Sequence, residues 1–147
     1  MQDRVTTSSK AAEKDAGNIA PPSGPVRILI VDDDRGAADS LELMLHVSGY
    51  SETRVAYSGH AGLALAAVFE PDVVLLDLGL ADMSGYELAQ SMREQAQSRD
   101  LRMIALTCSR EHAAREKARA AGFERYLLKP VTAQALSNLV ATPLVSE

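Results

Sequence analysis

The chain holds a single cysteine, Cys108, so no disulfide can form within it and nothing argues for an oxidising compartment. A lone cysteine following an apolar strand reads as a small core residue. His46, His60 and His112 lie in helical patterns without partners at metal-like spacing, so no zinc site is expected and they read as solvated or packed histidines. There is no cluster of Lys and Arg, and the formal net charge is -5. Phosphate neutralisation needs basic side chains, so no direct contact with nucleic acid is expected. No apolar run approaches the length of a bilayer span, and Met1 to Pro25 contains no signal-peptide core. The expected location is the cytoplasm, without membrane contact.

What is present is an ordinary globular composition, with 46% hydrophobic and 24% charged residues over 147 positions, about the size of one domain. Residues 1–25 are rich in Thr, Ser, Lys, Asp, Ala and Gly and close on Pro21-Pro22-Ser23-Gly24-Pro25. Such a segment cannot bury enough apolar surface to order itself. The expectation is a disordered N-terminal tail over 1–25 and one domain over 26–147.

Beyond Pro25 an apolar run followed by an amphipathic pattern recurs five times. Arg27 to Val31 is followed by Ala37, Leu41, Met44 and Leu45 at helical spacing up to Gly49. Ser51 to Ala56 precedes a helix from Ser58, in which Ala61, Leu65 and Val68 are expected to share a face until Pro71 stops it. Asp72 to Leu76 runs into Asp77, and Ser84 with Glu87 forms a capping box opening a helix that buries Leu88 and Met92. Arg102 to Leu106 ends at Thr107, and the next helix carries Ala114, Ala118 and Ala121 on one face and meets Gly122 as a C-cap. Arg125 to Leu128 is followed by a helix capped by Thr132 and buried through Leu136, Leu139 and Val140.

Uninterrupted apolar strands alternating with helices predict a parallel sheet covered on both faces. In such sheets ligands bind beyond the C-terminal ends of the strands. Those ends carry Asp32-Asp33-Asp34, Asp77, Thr107, and Lys129 with Pro130. Carboxylates forced together repel one another, so the cluster implies a hard divalent cation, and Mg²⁺ suits a few aspartates better than a cage built wholly of protein. Asp34, last of the triplet, reads as a helix N-cap rather than a metal ligand. Acids from two strand ends, a hydroxyl and a lysine are the parts of an aspartyl-phosphate site.

At this point the chain resembles the response-regulator receiver family of two-component signalling. The resemblance rests on Ile28-Leu29-Ile30-Val31-Asp32-Asp33, Val74-Leu75-Leu76-Asp77-Leu78, Met83-Ser84-Gly85-Tyr86-Glu87-Leu88, Ile104-Ala105-Leu106-Thr107, and Ala121-Gly122-Phe123 leading to Tyr126-Leu127-Leu128-Lys129-Pro130. It covers everything after the tail. It implies a flavodoxin-like, doubly wound (βα)5 fold with a five-stranded parallel sheet of order 2-1-3-4-5. It makes Asp77 the acceptor of phosphoryl from a histidine kinase or histidine phosphotransfer protein. Asp32, Asp33, Asp77 and the backbone carbonyl of Gly79 would hold Mg²⁺. Lys129 would pair with Asp77 and then with a phosphoryl oxygen, Thr107 would move to hydrogen-bond another oxygen, Tyr126 would be the aromatic switch coupled to that move, and Pro130 would follow a cis peptide bond.

Ala81 stands where the family usually has proline, so a less rigid loop is expected after Asp77. The resemblance implies that Gly79 and Ser109 occupy positions that in this family influence dephosphorylation. The chain ends soon after the fifth helix, so a stand-alone receiver signalling through a downstream protein target is expected, one that catalyses only its own phosphorylation and dephosphorylation. The competing readings are a degenerate receiver serving as a constitutive adaptor, and an aspartate-nucleophile phosphatase, whose acid spacing Asp32 and Asp34 superficially satisfy.

Overall fold

The structure, a computed structural model, describes residues 25–97 and 99–141, with the side chains of 140 and 141 outside that description. The expected tail therefore lies, apart from Pro25, outside the described residues, as do residues 142–147 and the packing of Val140. Five strands and five helices alternate: β1 (Arg27–Val31), α1 (Arg35–Val47), β2 (Glu52–Ala56), α2 (Gly59–Phe69), β3 (Val73–Asp77), α3 (Gly85–Ala96), β4 (Arg102–Thr107), α4 (His112–Ala120), β5 (Arg125–Leu128) and α5 (Ala133–Ala141). The strands form one sheet in the order β2-β1-β3-β4-β5, each neighbouring pair parallel. This is the expected flavodoxin-like arrangement.

Successive strand residues point to opposite faces, so each apolar strand feeds two cores. Ile28 and Ile30 of β1, with Leu75, Ile104 and Leu106, pack under Leu41, Leu45, Leu136 and Leu139 of α1 and α5. Leu29 and Val31, with Val74, Leu76 and Ala105, pack against α2, α3 and α4 through Ala66, Leu88, Met92 and Ala118. All five residues of β3 are buried, as a strand covered on both sides requires. Each fully buried Leu or Ile contributes about 1.5–3 kcal/mol through the water it leaves.

The helix starts follow from short polar side chains. Asp34, Ser58 and Ser84 cap α1, α2 and α3, the last as a full capping box with Glu87, and Thr132 Oγ1 accepts the Ala135 N–H at 3.0 Å before α5. Gly122 follows α4 at φ 95°, a left-handed conformation that glycine adopts without a Cβ penalty.

Two expectations need correction. The packed face of α2 is Gly59, Gly62 and Ala66, not Ala61, Leu65 and Val68: Ala61 is exposed, Leu65 only partly buried and Val68 79% exposed. The helix is apolar almost all round, so periodicity alone could not choose its buried side. The small residues face the sheet because the backbone comes close there; a Cβ on Gly62 would stand 2.9 Å from a Val31 methyl. Cys108 is exposed rather than in the core, because β4 ends at Thr107 and residue 108 is already in a bend beyond the sheet. On α4 only Ala118 of the expected alanine face is fully buried.

Candidate functional site at the carboxyl ends of the strands

Strand register builds the site. Val31 pairs with Leu76 across β1 and β3, so the next residues, Asp32 and Asp77, come side by side where the strand order reverses. On the other side Thr107 pairs with Leu128, and the Lys129 N–H donates to the Thr107 carbonyl at 2.8 Å. Lys129 thus leaves β5 beside both acids, and the Lys129-Pro130 peptide is cis.

The Lys129 ammonium lies 3.0 Å from Asp32 Oδ2 and 3.4 Å from Asp77 Oδ2. Asp32 and Asp77 are nearly buried, at 2% and 5% exposure, while Asp33 is exposed. Carboxylate oxygens of all three lie within 4.8 Å of one another. Each acid has its own backbone donor. Asp34 N–H serves Asp32 Oδ1 at 3.0 Å, Gly79 N–H serves Asp77 Oδ1 at 2.9 Å, and Ala81 N–H serves Asp33 Oδ2 at 2.8 Å. These bonds orient the carboxylates towards a common point.

Burial is the main reason the Asp32 carboxyl is pushed above the usual carboxylate range, with the Asp77 charge adding to it. Burial also works against the Lys129 ammonium, but the hydrogen bond and charge of Asp32, with those of Asp77, outweigh it and raise its pKa. Three carboxylates facing one ammonium leave an excess of negative charge. An oxygen-lined, acid-rich pocket of this kind fits a hard divalent cation.

A Cβ on Gly79 would stand 3.6 Å from Asp77 Oδ1, so glycine leaves open space beside that carboxylate. Gly85 is needed for a different reason. A Cβ there would lie 2.8 Å from the Asp77 carbonyl and 2.6 Å from the Leu78 Cα, so α3 starts directly against the backbone that presents Asp77.

Thr107 closes β4 and Tyr126 lies within β5 opposite Ala105, and the side chains of both bond to Ser109 in the loop after β4. Thr107 Oγ1 accepts the Ser109 N–H at 3.1 Å, and the Tyr126 hydroxyl donates to the Ser109 carbonyl. The Arg115 guanidinium stacks 5.3 Å from the Tyr126 ring centroid. Asp34, as expected, caps a helix, accepting the Ala37 N–H at 3.1 Å. That commitment leaves nothing in the site to favour the phosphatase spacing of Asp32 and Asp34. Local sequence gave no sign of Asp82, whose carboxylate accepts the N–H groups of Gly59 and His60, over twenty residues earlier in the chain. Those bonds hold its pKa well below the usual range.

The response regulator receiver domain profile matches residues 28–141, and the chain belongs to that family. Response regulator MprA of Mycolicibacterium vanbaalenii is 38% identical over 117 residues, which cover 80% of this chain and 48% of that protein. The DNA-binding dual master transcriptional regulator RpaA of Synechocystis is 33% identical over 104 residues, 71% of this chain and 43% of that regulator. Among solved structures, a CheY-like response regulator receiver domain protein from Methanospirillum hungatei superposes with a TM-score of 0.72 at 30% identity, covering 82% of this chain and 94% of that one. The chain spans about half the length of the curated relatives it matches. Among the described residues no helix is long and apolar enough to cross a membrane.

Proposed function

We propose that this receiver accepts a phosphoryl group on Asp77 from the phosphohistidine of a histidine kinase or histidine phosphotransfer protein, and signals by a phosphorylation-dependent contact with a downstream protein. The observation that carries this is the buried Asp77 carboxylate, held 3.4 Å from the Lys129 ammonium within a cluster of three acids. In the transfer an Asp77 oxygen bonds to phosphorus as the phosphorus–nitrogen bond to the donor imidazole breaks, and the imidazole nitrogen takes up a proton. Charge then spreads over the phosphoryl oxygens.

Asp32, Asp33 and Asp77, with the Gly79 carbonyl, would hold Mg²⁺, which when bound offsets the negative charge of the acids and of the phosphoryl group. Lys129 bridges Asp32 and Asp77 before transfer and is placed to follow a phosphoryl oxygen afterwards. Donors fixed in advance cost no reorganisation at the moment of reaction. The Thr107 hydroxyl would leave the Ser109 N–H for another phosphoryl oxygen, and Tyr126, bonded to the same Ser109, would move with it. That couples a charge change to a change of surface shape. No catalysis beyond the domain's own phosphorylation and dephosphorylation is assigned, and the net charge of -5 gives no footing for nucleic acid.

The test is incubation with acetyl phosphate and Mg²⁺, followed by intact mass. One added phosphoryl group is expected, absent in Asp77→Asn and absent with a chelator. Labelling that persists in Asp77→Asn would overturn the assignment.

A further inference from the structure

The first N–H groups of a helix have no partner within it. In α2, Ser58 supplies only part of the cap, its Oγ accepting the Ala61 N–H at 3.1 Å. The donors left over, Gly59 N–H and His60 N–H, go to Asp82 Oδ1 at 2.9 Å and Oδ2 at 3.0 Å, and His60 Nδ1 lies 2.6 Å from the same Oδ2. Asp82 belongs to the loop between β3 and α3, so one carboxylate joins that loop to the start of another helix. The join is close-fitting. A Cβ on Gly59 would stand 2.4 Å from Met83 Cγ and 3.1 Å from Asp82 Oδ1, so the bare glycine is what lets the loop seat there.

One residue before this anchor, Ala81 donates its N–H to Asp33 Oδ2. Asp32 and Asp77 each have Lys129 as well as a backbone donor. Asp33 is exposed, and among the described residues the Ala81 N–H is its carboxylate's one partner. A proline at position 81 would have no N–H to give.

We propose that Asp82 is a positioning residue for the metal. Anchored on the start of α2, it holds the loop so that the Ala81 N–H fixes the exposed Asp33 carboxylate in the acidic cluster. The inference rests on the reading of Asp33 as a Mg²⁺ ligand. Partners that orient ligating side chains commonly alter metal affinity about 10–100-fold when removed.

Two caps of one helix supply the control. Ser58→Ala removes a cap from α2 without touching the loop, whereas Asp82→Ala removes a cap and the anchor together. Mg²⁺ is titrated into each full-length variant and followed by the backbone amide shifts of Gly79 and Ala81, with thermal unfolding in chelator as the measure of stability. Asp82→Ala is expected to weaken Mg²⁺ binding about tenfold or more, Ser58→Ala to leave it unchanged while lowering the unfolding temperature, and Asp82→Asn, which keeps an acceptor oxygen, to recover part of the affinity. Equal affinities in all variants, or equal losses for Ser58→Ala and Asp82→Ala, would overturn the proposal in favour of plain helix capping. Should Asp82→Ala fail to fold, Asp82→Asn decides it, with a loss of a few fold expected and no loss overturning it. A wild-type chain that shows no Mg²⁺-dependent shift would instead overturn the reading of the cluster itself.

Discussion

The loop after β3 and the loop after β4 flank the same pocket but are held very differently. The first is stitched to two other parts of the molecule, Ala81 to Asp33 and Asp82 to the start of α2, besides the local bond of Gly79 to Asp77. The second is held mainly to itself. Ser109 N–H reaches back to Thr107 Oγ1, Glu111 N–H reaches Ser109 Oγ, and the tertiary tie is the Tyr126 hydroxyl on the Ser109 carbonyl. The helix that follows, α4, has no side-chain cap bond at its start. The difference matches the division of labour in the proposed switch: acids that converge on one point need fixed donors, and a segment that would rearrange on phosphorylation needs bonds that exchange at little cost.

The comparison can be broken at its tied half first. Lys129→Ala leaves the Asp32 and Asp77 carboxylates without their ammonium and should slow phosphorylation by acetyl phosphate about 100-fold or more, as loss of a fixed electrostatic donor does; a near-normal rate would remove Lys129 from the mechanism. Gly85→Ala forces a methyl against the Asp77 and Leu78 backbone and should destabilise the fold by about 1–3 kcal/mol in urea unfolding.

A smaller effect of opposite sign is expected from Asp32→Asn. The folded carboxyl is raised above 3.8 chiefly by burial, so the native state binds its proton more readily than the unfolded chain, and stability falls as pH rises through that interval. The neutral amide escapes that penalty. In chelator at neutral pH Asp32→Asn should unfold at a higher temperature than wild type, the gain vanishing as pH drops below 3.8. Lysine linkage runs to the alkaline side. Lys129 is raised above 10.5, so its contribution is complete below that pH and lost as pH climbs through the folded value.

The smallest effect sharpens the loosely held half. Tyr126→Phe deletes the bond to the Ser109 carbonyl, which should cost about 1 kcal/mol. Amide exchange should rise in residues 108–111, with Mg²⁺ affinity unchanged. A change confined to the loop after β3 would contradict the division drawn here.

Much of this was legible beforehand, for identifiable reasons. Asp32, Asp77, Thr107 and Lys129 each come at the close of an apolar run that announces its own end, and parallel pairing brings such ends together whatever the details. Capping by Asp34, Ser84 and Thr132 is a matter of three or four residues. The buried side of α2 was misjudged because an all-apolar helix carries no contrast, and closeness of the backbone, not hydrophobicity, chose Gly62 and Ala66. Cys108 was misplaced because the chain's turn at Thr107 is not written in residue 108 itself. The loop carrying Ala81, expected to be less rigid for want of a proline, is tied through hydrogen bonds that a proline at that position could not have made in full.

What the sequence alone determined, then, are the properties that depend on neighbours along the chain: strand and helix order, caps, and which chemical groups arrive at the strand ends. What only the tertiary structure decided are the pairings across long separations that no resemblance implied, Lys129 with Asp32 and Asp82 with the start of α2. A local pattern constrains dihedral angles and the faces of helices and strands, whereas a hydrogen bond between distant loops depends on register and backbone approach, which no short stretch of residues encodes.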